Sequence, residues 1–462
     1  MADDAREIED GSDGDYALER STVAEVLAAV EARDAGALEQ VLEPLHAADI
    51  ADLLEQIDGK QRRKFLALWG VELDGDVLSE LDEGLRIEVI GEMSPEALAE
   101  AVRDLDSDDV VDLIEDLEAG DQQTILDALE ATDRVAVEQA LSYPEYSAGR
   151  LMQRELVKAP EHWTVGQTID FLRREDDNML PEQFYHVILV DPRLKPVGYV
   201  TLGRLLAARR SAKLIDIAED SFRTISVLQP EDDVAYAFNQ YHLISAPVVD
   251  EDERLVGVIT IDDAMAVLDE EHEEDIKRLA GVGDESLSDN TLEIAKRRFP
   301  WLAVNLVTAV LASLVIAQFE DVITAIVALA VLMPIVASMG GNAGTQTLTV
   351  TVRAIATRDL TGANAWRVLR REVLAALING LIFAVVIGIV GVLWFGDFRL
   401  GYVIAAAMVI NMVVAGFAGL LIPIALDKLG VDPALASGAF VTTVTDVVGF
   451  LSFLGLAALV LI

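Results

Sequence analysis

The sequence has no cysteine and only 5 histidines among its 462 residues. The lack of cysteine excludes disulfides, thiolate metal sites and thiol catalysis. The histidines all precede residue 273 and are His46, His162, His186, His242 and His272. We find no glycine-rich phosphate loop, no histidine metal cluster and no spacing that would pair a nucleophile with a base. These absences argue against an enzyme. Because every histidine lies in the front part of the chain, oxygen atoms are the ligands that remain for a metal ion in the apolar C-terminal half.

Basic residues are also scarce, because 35 Lys and Arg stand against 79 Asp and Glu, for a net charge of −44. From residue 296 onward the chain has 8 acidic and 10 basic residues. The first 295 residues therefore carry −46 and the rest +2. So dense an acidic surface repels nucleic acid, which we exclude as a partner. Adaptation to high salt explains most of this charge, so a specific role must be argued for a few carboxylates only.

The front part of the chain begins with an acidic segment, residues 1–20, that has no apolar run. This composition predicts disorder, and the missing signal peptide places the N-terminal half in the cytoplasm. In residues 21–140 apolar residues recur at spacings of three and four, with caps such as Ser94-Pro95 and Ser107-Asp108. The pattern predicts an all-α domain of short helices.

Residues 147–268 contain an internal repeat with an offset of 59. Val190-Asp191 recurs as Val249-Asp250, and VGYVT at 197–201 recurs as VGVIT at 256–260. Each copy predicts a strand, a charged turn, a second strand and a helix, so the pair is α/β. The first strands are HVILV at 186–190 and APVV at 246–249, and the helices lie at 202–209 and 262–271.

Residues 269–295 join the repeat to the apolar half and hold the acidic run Asp269, Glu270, Glu271, Glu273, Glu274 and Asp275. A charge run is usually a solvated helix face. Its place just before the first apolar span favours a role in controlling that half.

Residues 296–462 offer five apolar runs of the length that crosses about 30 Å of hydrocarbon. They are 299–319, 322–352, 373–395, 401–426 and 435–461, and lipid is their expected surrounding. Basic residues crowd before the first run and after the second, which predicts a cytoplasmic N-terminus and an extracellular C-terminus. We expect a multi-pass protein of the cell membrane.

Two polar clusters interrupt these runs. The first, PIVASMGGNAGTQTLTVTVR at 334–353, contains Gly340, Gly341, Asn342, Gly344 and Gln346. One interpretation is close helix packing through small residues. The other is irregular backbone whose carbonyls, with the Asn342 amide, line a water-filled path.

The second cluster is VTTVTDVVGF in the last run, where Thr442, Asp446 and Gly449 share a helix face. A carboxylate at mid-membrane costs about 2.5 to 3.5 kcal/mol, and no base lies in the core of any run to pair with Asp446. A cation is the expected partner. Oxygen ligands suit Mg²⁺, Ca²⁺ or Mn²⁺, and a sparse site suits Mg²⁺, which keeps its waters. One aspartate per chain is too little, which favours a homodimer with the path near its axis.

These motifs together resemble the MgtE family of magnesium channels. The resemblance covers nearly the whole chain and is carried by SAGRLM at 147–152, APVVDEDERLVGVITIDDAM at 246–265, EEHEEDIKRLAG at 270–281 and the two membrane clusters. It implies a homodimer with a helical N domain, a pair of cystathionine-β-synthase-type (CBS) repeats, a connecting plug helix and five membrane helices per subunit.

The resemblance also implies site residues. The pore aspartate falls on Asp446 and the glycine-asparagine segment on Gly341 and Asn342. The regulatory Mg²⁺ ligands fall on Asp263, Glu271, Glu274 and Asp275, with Asp108 and Asp112 from the N domain.

The expected function is Mg²⁺ uptake that is closed by cytosolic Mg²⁺. Two alternatives stay open at this point. One is transport of Mn²⁺ or Ca²⁺, and the other is a membrane-anchored sensor that binds ATP or another adenine nucleotide at the CBS pair and conducts nothing.

Overall fold

The computed structural model describes residues 18–70, 73–103, 105–115, 117, 119–129, 131–173, 180–181, 183–219, 222–283 and 291–462. The predicted disordered segment therefore lies outside the described residues up to position 17, and the first helix begins at Arg20. The chain divides into two compact units, 1–270 and 271–462, which we describe separately.

The N-terminal part of the first unit is all-α, as predicted. Its helices are α1 Arg20–Ala32, α2 Ala35–Leu42, α3 Ala47–Gln56, α4 Gly59–Trp69, α5 Gly75–Ser79, α6 Glu83–Glu92, α7 Pro95–Ala101, α8 Ser107–Glu115, α9 Ala119–Ala128 and α10 Ala131–Ala140. Capping side chains mark the starts of such short helices. Asp58, for example, accepts hydrogen bonds from the backbone amides of Lys60 and Gln61 at the start of α4. Their apolar faces, including Leu54 and Phe65, form one core.

The CBS pair follows as two three-stranded sheets. Their strands are β1 Lys158–Pro160, β2 His186–Val190, β3 Pro196–Thr201, β4 Ile225–Ser226, β5 Ser245–Val249 and β6 Leu255–Thr260. Each sheet has a parallel pair and then an antiparallel pair, in the order β1-β2-β3 and β4-β5-β6. The helices between them are α11 Ala148–Leu151, α12 Val165–Leu172, α13 Leu202–Ala207 and α14 Glu231–Tyr241. The offset of 59 holds between β2 and β5 and between β3 and β6, which confirms the repeat.

The helix of the second repeat does not stop where the acidic run starts. Helix α15 is continuous over Ile261–Leu279. A helix that carries no glycine or proline between these residues has no local reason to end sooner. The expected boundary at 268 therefore lies inside a helix, and residues 284–290 of the linker lie outside the described residues.

Within the described residues of the second unit, five helices have the length and apolar composition that crossing a membrane requires, as predicted. They are α16 Thr291–Ala317, α18 Ala328–Ala356, α19 Ala365–Phe395, α20 Phe398–Lys428 and α21 Pro433–Val460. The second run, expected at 322–352, was wrong in its limits. A short helix, α17 Glu320–Ala325, takes up its first residues, and α18 starts afterwards.

The glycines of α18 sit in helix contacts within an unbroken helix. The expectation of irregular backbone in this segment is therefore wrong. A Cβ on Gly340 would lie 2.1 Å from Asn411 Nδ2 of α20, and a Cβ on Gly344 would lie 2.6 Å from Val441 Cγ1 of α21. A Cβ on Gly419 of α20 would lie 2.7 Å from the Gly344 carbonyl oxygen. Small residues thus let these three helices approach closely.

We predict that Gly344→Ala destabilises the membrane unit by about 1 to 3 kcal/mol, because the new methyl group overlaps Val441. Gly455→Ala is the matched control, because a Cβ there meets nothing within 4 Å. Thermal unfolding in detergent measures both. Equal melting temperatures for Gly344→Ala and the wild type would contradict the close packing.

Candidate metal centre and ion path

The start of α8 docks on the segment that precedes β1. Glu155 accepts from the Ser107 hydroxyl at 2.8 Å and from the Arg154 backbone amide at 2.9 Å. Gln153 Nε2 donates to Asp106 at 3.0 Å. The Glu155 carboxylate also faces the positive end of α8, where an anion is favoured. These bonds place the acidic first turn of α8 against the second CBS repeat.

Four carboxylates crowd at this contact: Asp106, Asp108, Asp109 and Asp263. We call them the acidic cluster. Asp108 is buried, with 8% of its surface exposed, and Asp109 and Asp263 are half-buried. Burial, followed by repulsion from Asp263, raises the pKa of Asp108 well above its ordinary value and that of Asp109 to about 7.

The other two members shift in the same direction. Burial raises the pKa of Asp263 to about 6, against hydrogen bonds from Thr260 that lower it. Desolvation of its carboxylate, then the Glu155 charge, raises the pKa of Asp106 to about 6, although much of that residue is exposed. Shifts of one sign across a cluster indicate negative charge without a counter-ion.

The sign of these shifts decides what stabilises the cluster. Acids whose pKa is raised on folding oppose the folded arrangement wherever they ionise, and protons relieve that cost as the pH falls through 7 toward 5. A divalent cation would relieve it at neutral pH. Among the described residues, no three carboxylates or histidines are already close enough to hold an ion. A cation held here would therefore have to bridge carboxylates that lie apart, through water that it keeps.

Asp112 was expected to contribute to this site, but its carboxylate pairs with Arg86 instead. It forms an ion pair with Arg86 at 2.5 Å and is exposed. The carboxylates that lie near Asp108 are those of Asp106 and Asp109. Sequence alone could not choose among the five aspartates between 104 and 112, because the choice depends on where α8 meets the CBS pair.

On α15, the expected metal ligands share a half-buried helix face: Glu271, Glu274 and Asp275. Arg278 stands one turn later. Arg278 pairs with Glu274 at 2.5 Å and with Asp432 at 3.1 Å. Burial and then the Asp432 charge raise the pKa of Asp275.

The end of α15 thereby contacts the start of α21. Asp432 is the N-cap of α21 and accepts from the Ala434 amide at 2.7 Å. Leu279 packs against the apolar cluster of Leu348, Val352, Ala434 and Val441. A carboxylate group from α15 and one from α21 thus lie close together at one end of the membrane unit.

A row of polar side chains follows one face of α18: Ser338, Asn342, Thr345, Gln346 and Thr349. We call it the polar stripe, and all five residues are exposed in the single chain. The Thr345 and Thr349 hydroxyls each donate a hydrogen bond to a backbone carbonyl oxygen one turn earlier, at 3.0 Å. Amide groups in a membrane cannot face lipid without cost, so the stripe must adjoin water or protein.

Asp446 lies at the level of this stripe. A side chain on Gly341 would meet Thr445 Oγ1 of α21 at 4.0 Å, so positions 341 and 445 are opposite each other. Asn342 and Asp446 each follow one of these positions by a single residue, but the two helices run antiparallel, since Gly344 faces Val441 while Gly341 faces Thr445. The two rises of about 1.5 Å therefore go in opposite directions and separate the residues by about 3 Å along the helices. Asp446 is half-buried in the single chain. The structure thus brings the two main pore candidates to within one helical turn of each other in depth.

Of the remaining pore candidates, some lie on or near the polar stripe and others lie in contacts between helices. Gln346 belongs to the polar stripe. Thr442 is half-buried and bonds the Gly438 carbonyl at 2.9 Å. Gly340, Gly344 and Gly449 are buried in helix contacts, where Gly449 faces Asn411.

Sequence reasoning missed three residues. Asp432 precedes a proline at the start of the last run, which is an N-cap signal that could have identified it. Nothing in the sequence distinguished Arg278, apart from its being a basic residue that follows an acidic run. Asn411 is a lone amide in an otherwise apolar run, and its cost alone could have drawn attention to it.

Comparison with known proteins agrees with this division of the chain. Residues 333–456 match the family model described as MgtE, divalent cation transporter. Residues 45–146 match the MgtE intracellular N domain, and residues 216–270 match the CBS domain. A crystal structure of the cytosolic domain of the Mg²⁺ channel MgtE in complex with ATP covers 53% of this chain and 99% of its own, with 28% identity and a TM-score of 0.49.

Two curated relatives span nearly the whole chain. The magnesium transporter MgtE of Thermus thermophilus is 32% identical over 96% of this chain and 99% of its own. That of Bacillus subtilis is 30% identical over 90% of this chain and 92% of its own. The chain belongs to the MgtE family of divalent cation transporters.

Proposed function

We propose that this protein carries Mg²⁺ across the cell membrane and that cytosolic Mg²⁺ closes it. The observation that carries the proposal is Asp446, a carboxylate in the middle of a membrane helix at the level of Asn342. The magnesium transporters related to it over nine-tenths of their length support the choice of ion. The activity is transport across a membrane, with no chemical change in the ion.

The ligands available at this depth favour Mg²⁺ over softer ions. Asp446, Asn342 and Gln346 offer carboxylate and amide oxygens, which hard cations prefer. Mg²⁺ loses its water slowly and is usually held by one or two carboxylates through that water. A path lined by amides and hydroxyls can hydrogen-bond the hydration shell of the ion. Ca²⁺, which takes six to eight oxygen ligands and is bound largely by protein groups, suits such a sparse site less well.

A homodimer would complete the site. A single chain leaves the polar stripe exposed on a membrane helix, and it offers one carboxylate at that level. A second copy related by a two-fold axis would cover the stripe and bring two Asp446 side chains together. The orientation we propose has a cytoplasmic N-terminus. Basic residues cluster before the first apolar run and after the second, and such clusters are typical of cytoplasmic loops.

We predict that Asp446→Asn assembles in the membrane but conducts Mg²⁺ about 100-fold more slowly. The reason is that an amide lacks the negative charge that attracts the cation, and a 100-fold effect corresponds to about 2.8 kcal/mol. Asp427→Asn is the matched control, since Asp427 is exposed at the end of α20. Mg²⁺ flux into liposomes measures both. Wild-type flux through Asp446→Asn would show that this carboxylate is not the pore ligand.

Regulation follows from the repulsion within the acidic cluster and along α15. Two like charges 4 Å apart repel by about 4 kcal/mol at an effective dielectric constant near 20. A shift of roughly 5.5 kcal/mol moves a two-state equilibrium from 1:99 to 99:1. Mg²⁺ that bridges Asp108, Asp109 and Asp263 would therefore hold the cytoplasmic part compact and the path closed. Loss of Mg²⁺ would release it.

We predict that Mg²⁺ protects the cytoplasmic part of the full-length protein from proteolysis and that Asp263→Asn makes this protection largely independent of Mg²⁺. Removing one charge from the cluster lowers the repulsion that Mg²⁺ must overcome. Asp252→Asn is the control, because Asp252 is an exposed acid in the same repeat. Digestion with and without chelator gives the answer. Protection of Asp263→Asn that still requires wild-type Mg²⁺ concentrations would refute the role of the cluster.

We further propose an adenine nucleotide as the ligand of the cleft between the two CBS repeats. Phe184 and Tyr185 line this cleft, beside the hydrogen-bonded pair of His186 and Ser245 at 2.5 Å. Aromatic faces with a few polar groups suit a purine base.

We expect calorimetry to detect ATP binding by the full chain and Ser245→Trp to abolish it by filling the cleft. Ser226→Trp, at an exposed strand position outside the cleft, is the control. Unchanged binding by Ser245→Trp would place the nucleotide elsewhere.

A further inference from the structure

A buried amide lies where the two helices of the proposed path meet a third. Asn411 of α20 has 0% of its surface exposed. Its Nδ2 donates to the Val336 carbonyl oxygen of α18 at 2.8 Å. Its Oδ1 is buried and accepts no hydrogen bond in the described part of the chain.

This amide is costly in its surroundings. Its neighbours on α20 are Ala407, Met408, Met412 and Ala415, and all are buried. A buried acceptor without a donor costs about 1 to 3 kcal/mol, whereas a leucine of similar shape would cost nothing of the kind. A side chain that lowers stability at this position therefore calls for a reason other than packing.

The contacts of Asn411 supply such a reason. A Cβ on Gly340 of α18 would lie 2.1 Å from its Nδ2, and a Cβ on Gly449 of α21 would lie 2.8 Å from the same atom. The amide thus fills a notch formed by one glycine from each path helix. Gly340 is two residues before Asn342, and Gly449 is three residues after Asp446, so the notch lies within one turn of both.

The two helices are held differently. The hydrogen bond to Val336 fixes the height of α18 against the amide, because its direction and length are specific. Helix α21 meets the same amide through Gly449, whose lack of a side chain lets the helix pack directly against it. One side chain thus sets how far Asn342 and Asp446 stand from each other along the membrane.

We propose that Asn411 is a positioning residue for the ion path: it holds α18 in register with α21 and so fixes the spacing of the Asn342 and Asp446 oxygens. The proposal rests on the function proposed above. The amide touches neighbouring helices and not the ion, so its loss should change how well ions are told apart as well as how fast they move.

The test uses the full chain in liposomes, with Mg²⁺ flux, the ratio of Mg²⁺ to Ca²⁺ flux and the melting temperature measured for each variant. Asn411→Leu keeps the shape and removes the donor. Asn411→Ser keeps a donor in less space. Asn379→Leu is the matched control, because Asn379 is an exposed amide in α19.

We expect Asn411→Leu to keep or raise the melting temperature while Mg²⁺ flux and the flux ratio each fall about tenfold. We expect Asn411→Ser to retain more of both than Asn411→Leu, and Asn379→Leu to match the wild type. A positioning role is overturned if Asn411→Leu keeps the wild-type ratio. It is also overturned if both Asn411 variants lose flux only in proportion to lost stability or assembly.

The wild type and Asp446→Asn separate this inference from the proposed function. A wild type without Mg²⁺ flux refutes both. A conducting wild type, a weakly conducting Asp446→Asn and an Asn411→Leu with the wild-type ratio refute the positioning role alone.

Discussion

Negative charge without a basic partner is the constraint on which the other features of this protein depend. It occurs at two places: the acidic cluster around Asp108 and Asp263, and the mid-membrane position of Asp446. At the acidic cluster, burial raises the pKa of Asp108 and Asp263, and among the described residues no salt bridge reaches its four carboxylates. At the end of α15, by contrast, Arg278 pairs with both Glu274 and Asp432 within the chain.

High ionic strength limits the distance over which this negative charge can act. At 1 M ionic strength the screening length is only about 3 Å, so diffuse repulsion across the acidic half is lost. Direct bridging of neighbouring carboxylates survives, because the ion then lies within the screening length. If the chain works in high salt, its response to Mg²⁺ must rest on a few residues such as Asp109 and Asp263, and the net charge of −44 serves hydration instead.

The membrane unit shows how close packing and polarity coexist. Gly340, Gly344 and Gly419 bring three helices together, and the unbroken backbone of α18 keeps its own hydrogen bonds. Polar side chains are then displayed on the opposite face without exposing backbone to lipid. The cost of this arrangement appears at Asn411, whose amide is tolerated between two glycines.

Much of the fold could be predicted, because periodicity and repeats record it directly. The offset of 59 located β2, β3, β5 and β6, and apolar length located five spans. The site was harder. Asp446 was visible as a lone charge in an apolar run, but the choice among the aspartates near Asp108 depends on docking between distant segments. Asp432 and Arg278 matter through a contact 154 positions apart in the chain, which no local pattern encodes.

The most direct test of the account is Mg²⁺ flux through the purified wild type in liposomes, with Mg²⁺ varied on the cytoplasmic side. A variant carrying Glu271→Gln, Glu274→Gln and Asp275→Asn serves as comparison. The account predicts flux that falls steeply as cytoplasmic Mg²⁺ rises in the wild type and flux that no longer depends on cytoplasmic Mg²⁺ in the variant. Absence of wild-type flux at every concentration, or a wild-type Mg²⁺ dependence in the variant, would contradict it.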